Sequence, residues 1–195
     1  MLLSHSKQSI GCDLFEKDDM GRTFLHLAAL NIRSDSMLSR ILCTTIDHIP
    51  SNELIQLLQM VDHNLYSFFH LLGLREAEVS DKESFGLIEQ LFRLFNLCEA
   101  HHFNISEQSK TVLHCAAKGG NDLILRVLLP IFSFVNALDN FGCTPLHYAV
   151  RSQSIPSISI LLKAGSNPLI KDNDDMTPLE IARQFGDESL LATFR

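Results

Sequence analysis

The segment TPLHYA at positions 144–149 recurs as TPLEIA at positions 177–182. The pattern also occurs earlier in the chain as TVLHCA (111–116), SFFHLL (67–72) and TFLHLA (23–28). The copies begin at positions 23, 67, 111, 144 and 177, so two wide intervals are followed by two shorter intervals of equal length. Five copies in a common register predict that the chain is built from repeated structural units.

Residues that favour tight turns precede these copies. An aspartate stands five residues before four of them, and a serine stands there before the remaining one. The pattern D-x-x-G-x-T-P-L-H-x-A with a period of about 33 residues resembles the ankyrin repeat. This resemblance implies an all-α ankyrin-repeat solenoid of about five stacked helix-turn-helix units with β-turn fingers. The units are expected at about residues 18–61, 62–105, 106–138, 139–171 and 172–195, after an N-terminal leader or irregular cap at residues 1–17.

The repeated residues have identifiable structural roles. Threonine can cap the first helix of a unit, and proline fits its first turn because no N–H is needed there. The leucines of the pattern are expected in the shared core: Leu25, Leu113, Leu146 and Leu179. The resemblance implies that the histidines bond the threonine of their own unit and the neighbouring backbone: His26, His70, His114 and His147. Glu180 takes this position in the last unit, which fits a terminal cap.

The first two units are longer than the others, since the intervals from position 23 to 67 and from 67 to 111 exceed the later ones by a third. In the first unit, the apolar pattern of residues 54–58 predicts a short extra helix, with Ser51 or Asn52 as its cap. In the second, residues 84–100 predict an extended second helix. Insertions in repeat proteins often lie on the binding face, but a solenoid also tolerates drift, so both interpretations remain open.

Composition excludes several classes of protein. The 195 residues are 46% hydrophobic and 20% charged, which is typical of a folded globular chain. The net charge of −7 disfavours nucleic-acid binding, and no apolar run approaches the ~18–20 residues of a membrane span. Residues 1–105 hold 8 basic and 14 acidic side chains, so we expect any charge-guided partner to meet this half with a basic surface.

Motifs for catalysis or cofactor binding are missing from the sequence. It contains no glycine-rich phosphate loop, HExxH or GxSxG pattern. Cys98 and His101 have a spacing that could ligate zinc, but a second ligand pair is lacking. We therefore expect no catalytic residue, cofactor or metal, and an enzyme using Cys98 and His101 is a remote alternative.

The sequence predicts a non-catalytic scaffold or adaptor that binds a protein partner through its concave finger and first-helix surface. The candidate contact residues are Asp19, Met20, Arg22, His63, Asn64, Tyr66, Glu107, Gln108, Lys110, Lys118, Asn140, Phe141, Arg151, Asn173, Asp174 and Met176. We expect a monomer that binds neither nucleic acid nor membrane.

The cellular location of the protein is predicted from its cysteines and from the irregular form of its units. Five scattered cysteines without a signal peptide indicate an intracellular, cytoplasmic protein. The irregular units also resemble stand-alone ankyrin effectors, so the alternative is a protein that an intracellular bacterium translocates into its host cell. Asn136 lies where asparaginyl hydroxylases modify related repeats, which adds a further hypothesis of regulation.

Overall fold

The computed structural model describes residues 13–31, 35–75, 90–91, 94, 108–130 and 134–195. The helices with defined bounds are α1 (Phe24–Asn31), α2 (Asp35–His48), α3 (Ser51–Gln59), α4 (Phe68–Leu74), α5 (Val112–Lys118), α6 (Asp122–Leu128), α7 (Pro145–Arg151), α8 (Ile155–Lys163), α9 (Pro178–Phe185) and α10 (Glu188–Ala192). Gln90, Leu91 and Leu94 are also helical.

The first helices of the units form one continuous row. Helices α1, α4, α5, α7 and α9 pack in this order, each against the next. The second helices of units 3 and 4 lie beside this row. Helix α6 contacts α5 and α8, and α8 contacts α7. Each unit therefore shares its apolar surface with its neighbours, and the prediction of an all-α solenoid is confirmed.

The core lies between neighbouring first helices and their second helices. Leu25, Leu113 and Leu146 are fully buried, as the sequence pattern predicts. Leu179 is the exception: it is only partly buried, because α9 is the last first helix of the row and has such a neighbour on one side only.

Capping boxes set the start of the first helices. The hydroxyl oxygens of Ser67, Thr111, Thr144 and Thr177 accept the backbone N–H of the third helical residue, whose side chain accepts the N–H of the cap residue in return. Proline occupies the first turn of α7 and α9. The predicted role of these residues as helix caps is confirmed, and it explains why the helices begin in a fixed register.

The extra helix predicted after the first unit is present as α3. Its cap differs from the prediction: Pro50 is the N-cap residue, Ser51 is the first helical residue, and no side chain caps the helix. The backbone of Pro50 is extended, with ψ at 141°, so the helix begins directly after Pro50 without a hydrogen bond from a capping side chain. The second predicted expansion, at residues 84–100, lies outside the described residues except for its buried Leu91 and Leu94 and for Gln90.

Candidate functional site

Each finger is shaped by its aspartate. In four fingers the carboxylate oxygen Oδ1 accepts the backbone N–H groups of the residues two and four positions later, at 2.9–3.0 Å. These aspartates are Asp18, Asp62, Asp139 and Asp172. The carboxylate occupies the inside of the turn and closes it, so the side chains at the tip of the finger are left at the outside of the turn.

The residue two positions before each helix cap has a left-handed backbone. Gly21 and Gly142 have φ of 75° and 68°, and Leu65, Ser109 and Asp175 adopt φ of 56–61° at the same position. The turn is thus preserved where glycine is absent, although a left-handed L-residue costs about 1–2 kcal/mol. The degenerate second unit therefore keeps its finger.

Neighbouring fingers are joined backbone to backbone. The N–H of His63 donates to Met20 O at 3.0 Å, that of Asn140 to Gln108 O at 3.1 Å, and that of Asn173 to Phe141 O at 3.0 Å. Because these bonds do not depend on side chains, they fix finger 2 against finger 1, and fingers 3, 4 and 5 against one another.

The four histidines join each first helix to the next finger. Their Nδ1 atoms accept the N–H of the cap residue, and their Nε2 atoms donate at 3.0–3.1 Å to backbone oxygens of the next unit. Burial lowers the pKa of His70 and His114 to about 4, and it also lowers the pKa of His26 and His147. Both ring nitrogens are engaged, so the predicted structural role is confirmed.

Glu180 replaces histidine in the last unit and bonds only within it. Its carboxylate accepts the backbone N–H of Thr177 at 2.9 Å and the hydroxyl of Thr177 at 2.8 Å. The side chain completes the capping box of α9 and, within the described residues, makes no bond to another unit.

Most of the predicted contact residues lie at the surface. The exposed ones at the fingertips are Asp19, Met20, His63, Asn64, Gln108, Asn140, Phe141, Asn173 and Asp174. Arg22, Tyr66 and Met176 are half-buried beside them. Lys118 and Arg151 are exposed in the last turns of α5 and α7, and Glu107 lies outside the described residues.

Lys110 differs from the prediction because it is buried rather than presented to solvent. Its ammonium group donates to Gln108 Oε1 at 2.6 Å and lies 5.8 Å from the ring centroid of Phe141 and 5.2 Å from that of Tyr148. The faces of aromatic rings attract cations, so the ammonium group of Lys110 stabilises the positions of the Phe141 and Tyr148 rings.

Arg151 is held by its neighbours on two fingers. Its guanidinium donates to Asp172 Oδ2 at 2.7 Å and to Cys143 Sγ at 2.9 Å. The side chain of Asp172 is 1% exposed and that of Arg151 is 40% exposed. The pair therefore presents its cation to solvent and keeps its anion inside.

Two exposed apolar residues of the fingers were not predicted from the sequence. Leu65 is 46% exposed in finger 2 and Leu138 is 54% exposed directly before Asp139. The position of Leu138 also carries the exposed residues Lys17 and Lys171 in other units. Comparison of this position across the units would have identified Leu138 as a surface residue.

Other sequence hypotheses meet mixed outcomes. Cys98 and His101 lie outside the described residues. Among the residues that the structure describes, no group of three or more His, Cys, Asp or Glu is placed to hold a metal ion. In the same part of the chain, no helix is long and apolar enough to cross a membrane.

Asn136 bridges two units, since its Oδ1 accepts the N–H of Asn167 at 2.8 Å and its Nδ2 donates to Gly165 O at 3.4 Å.

Comparison with known proteins agrees with this architecture. Residues 79–172 match the family model for ankyrin repeats in three copies. Together with the stacked helix pairs, the fingers and the histidine bonds, this match indicates the class of the protein. These findings support an ankyrin repeat protein, and the family model itself covers residues 79–172.

Relatives with this repeat come from very different organisms. An ADP-ribosylation factor GTPase-activating protein of Arabidopsis thaliana is 34% identical over 79 residues, which are 40% of this chain and 10% of that protein. The tyrosine-protein kinase Shark of Drosophila melanogaster is 37% identical over 91 residues, 46% of this chain and 10% of the kinase. A putative ankyrin repeat protein of Rickettsia bellii is 36% identical over 81 residues, 39% of this chain and 34% of that protein. The chain thus spans about a tenth to a third of the length of these relatives, and what is shared is the repeat.

Proposed function

We propose that this chain is a non-catalytic protein-binding module whose partner lies along the fingertips and the last turns of the first helices. The observation that carries the proposal is the backbone bonding of finger 1 to finger 2 and of fingers 3, 4 and 5 to one another, with exposed apolar side chains at the tips. Met20 and Phe141 are 46% and 51% exposed there. Large apolar side chains of this kind are frequent anchors of protein interfaces.

The rigidity of these fingers supports this proposal. The aspartate, histidine and finger-to-finger hydrogen bonds hold the tips before any partner arrives. A surface that is already ordered loses little conformational entropy on binding, so more of the contact energy appears as affinity. In the described first helices, the repeated histidines and Glu180 make these structural hydrogen bonds and do not form a reactive cluster.

Site-specific cross-linking tests the location of the contact surface. A photoreactive benzoylphenylalanine replaces Phe141 at the tip of finger 4, and the matched control carries it at Phe134, which is also exposed but precedes the finger. We expect discrete protein adducts in cells from position 141 and few from position 134. Adducts from position 134 alone, or equal adducts from both, would contradict the proposed surface.

A second candidate role is that of an ankyrin effector delivered into a host cell by an intracellular bacterium. The similarity to the Rickettsia bellii protein supports this candidate. Fusion of the chain to a calmodulin-dependent adenylate cyclase reporter, expressed in a bacterium with a host-directed secretion system, tests it. Cyclic AMP should rise in infected cells, and a secretion-deficient strain serves as the control; no rise in either strain removes this candidate.

A further inference from the structure

The sign of the charge changes along the solenoid. The whole chain carries −7, with 16 basic and 23 acidic residues. Yet units 3 and 4, at residues 106–171, contain six basic and three acidic side chains. A positive segment therefore lies within an acidic protein.

Two of these acidic side chains are engaged in internal contacts, and the third, Glu107, lies outside the described residues. Asp139 is buried and accepts the N–H groups of Phe141 and Cys143 and the hydroxyl of Tyr148. Asp122 lies on α6, where it pairs with Arg126 at 3.8 Å. Of the cations on the finger and first-helix surface, Arg151 is paired with the buried carboxylate of Asp172 in unit 5.

Lys110, Lys118 and Arg151 are cations on the finger and first-helix side. Lys118 occupies on α5 the position that Arg151 occupies on α7, one repeat later. Lys110 lies beneath the rings of Phe141 and Tyr148. Lys110 thus lies beside the exposed ring of Phe141, which is the largest apolar side chain at any described fingertip.

Arg151 is prepared to bind a carboxylate. Its contacts with Asp172 and Cys143 use two of the five N–H donors of a guanidinium. The remaining donors belong to a side chain that is already fixed in place and 40% exposed. An arginine held in this way loses little side-chain entropy when it takes a second carboxylate partner.

We infer that units 3 and 4 bind an acidic peptide segment of the partner protein, with a carboxylate at Arg151 and Lys118 and an aromatic or aliphatic side chain against Phe141. This inference rests on the proposed function and specifies the chemistry of its partner. It differs from the expectation based on overall charge, which placed a basic partner surface at the N-terminal half.

The flanking units limit the ligand to a short acidic segment. Finger 5 presents Asp174 and Asp175, and finger 1 presents Asp19, all exposed. A long polyanion such as a nucleic acid would run from the positive units into these carboxylates, where like charges repel. A peptide with a few acidic residues ends before it reaches them.

Selection from a random peptide display library against the whole chain tests the inference. We expect the enriched peptides to contain more Asp and Glu than the library, together with an aromatic residue or leucine. The affinity of a synthetic enriched peptide should fall about tenfold with Lys118→Glu, as expected for reversal of one contact charge, and should weaken with added salt. Arg151→Lys should also weaken binding because it retains the charge but loses the planar fork.

The matched control is Arg126→Glu, the same reversal on the exposed surface of α6, and it should leave the affinity unchanged. Circular dichroism confirms that each variant is folded. Enriched peptides without acidic residues, an equal loss with Arg126→Glu, or tighter binding of a single-stranded oligothymidylate at the same site would overturn the inference. Peptides that lack acidic residues but lose affinity with Phe141→Ala would leave the proposed function standing. Enriched peptides whose affinity is insensitive to Phe141→Ala and Lys118→Glu would contradict both.

Discussion

The buried histidines hold neighbouring units together, because each of them makes one hydrogen bond within its own unit and one to the next unit. Each buried histidine accepts from its own helix cap and donates to a backbone oxygen of the next unit. Only the neutral imidazole with its proton on Nε2 satisfies both bonds, because protonation of Nδ1 would set a donor against a backbone N–H. The joints between units are therefore sensitive to pH.

Stability should decrease as the pH falls from about 6.5 towards 4. The pKa of His70 and His114 is about 4 in the folded chain, against a reference value of 6.5, so the unfolded chain takes up protons first. The stabilisation is fully present above pH 6.5 and amounts to about 3 kcal/mol for each of the two histidines. Urea unfolding measured at intervals between pH 7.5 and pH 4 checks this.

Asp18 does not account for most of the loss in this range, because it titrates below it in both the folded and the unfolded chain. The side-chain hydrogen bond from Arg22 lowers the pKa of Asp18 to about 2 from a reference of 3.8, so its contribution is lost only at lower pH. Replacement of His70 and His114 by glutamine should flatten the pH dependence, whereas His63→Gln at an exposed fingertip should not. Unchanged stability down to pH 5 would refute the role of the histidines.

Gly142→Ala tests how closely the fingers approach each other. Gly142 and Gly186 both have φ of 68°, but a Cβ at Gly142 would lie 2.6 Å from Asn173 Oδ1, whereas nothing lies within 4 Å at Gly186. Both substitutions share the backbone strain of about 1–2 kcal/mol. We expect Gly142→Ala to reduce the free energy of unfolding more than Gly186→Ala. Equal losses in urea unfolding would show that contact between fingers 4 and 5 adds nothing.

Helix α3 is the element that distinguishes this chain from a regular ankyrin repeat. Leu54, Leu57 and Leu58 on one side of the helix are buried in the common core. The expansion of the first unit therefore contributes to the folded structure, whichever surface role it has. Its stripe at spacings of three and four residues is typical of a helix that buries one face.

Leu57→Ala should destabilise the protein by about 2–5 kcal/mol, because it removes fully buried atoms from a packed core. Gln56→Ala, at the exposed neighbouring position, should change the free energy of unfolding by less than about 0.5 kcal/mol. Chemical denaturation of both variants provides the comparison. A loss below about 1 kcal/mol for Leu57→Ala would mean that α3 is dispensable to the core.

At the scale of the whole molecule, we predict a monomer. The apolar surfaces of the first helices are covered within the chain by neighbouring units. The large apolar side chains that the described residues expose lie on different elements, among them Met20, Leu30, Phe141, Leu169 and Phe185. Light scattering coupled to size exclusion should give a mass near 21.9 kDa over a range of concentrations. A mass of twice this value that falls on dilution would contradict the prediction.

Much of the fold could be predicted because contacts in a solenoid join adjacent units. The threonine caps, the buried leucines and the histidine bonds follow from the repeated pattern, since every unit repeats the same local environment. The extra helix α3 was predicted from its apolar spacing, but its cap was not, because Pro50 sets the backbone where a side-chain cap was expected. Helix ends depend on one or two local torsions that periodicity does not contain.

The sequence by itself determined the register of the units, their helix caps and, through the resemblance to ankyrin repeats, the histidine bonds between them, because these depend on residue types at fixed spacings. Only the tertiary structure decided which variable side chains reach the surface. Lys110 is buried under Phe141 and Tyr148, and Arg151 is paired with Asp172. These outcomes arise from contacts between different units, where residues far apart in the sequence meet, and their side chains follow no repeat. The surface that would select a partner is therefore set by packing between units rather than by the pattern that builds them.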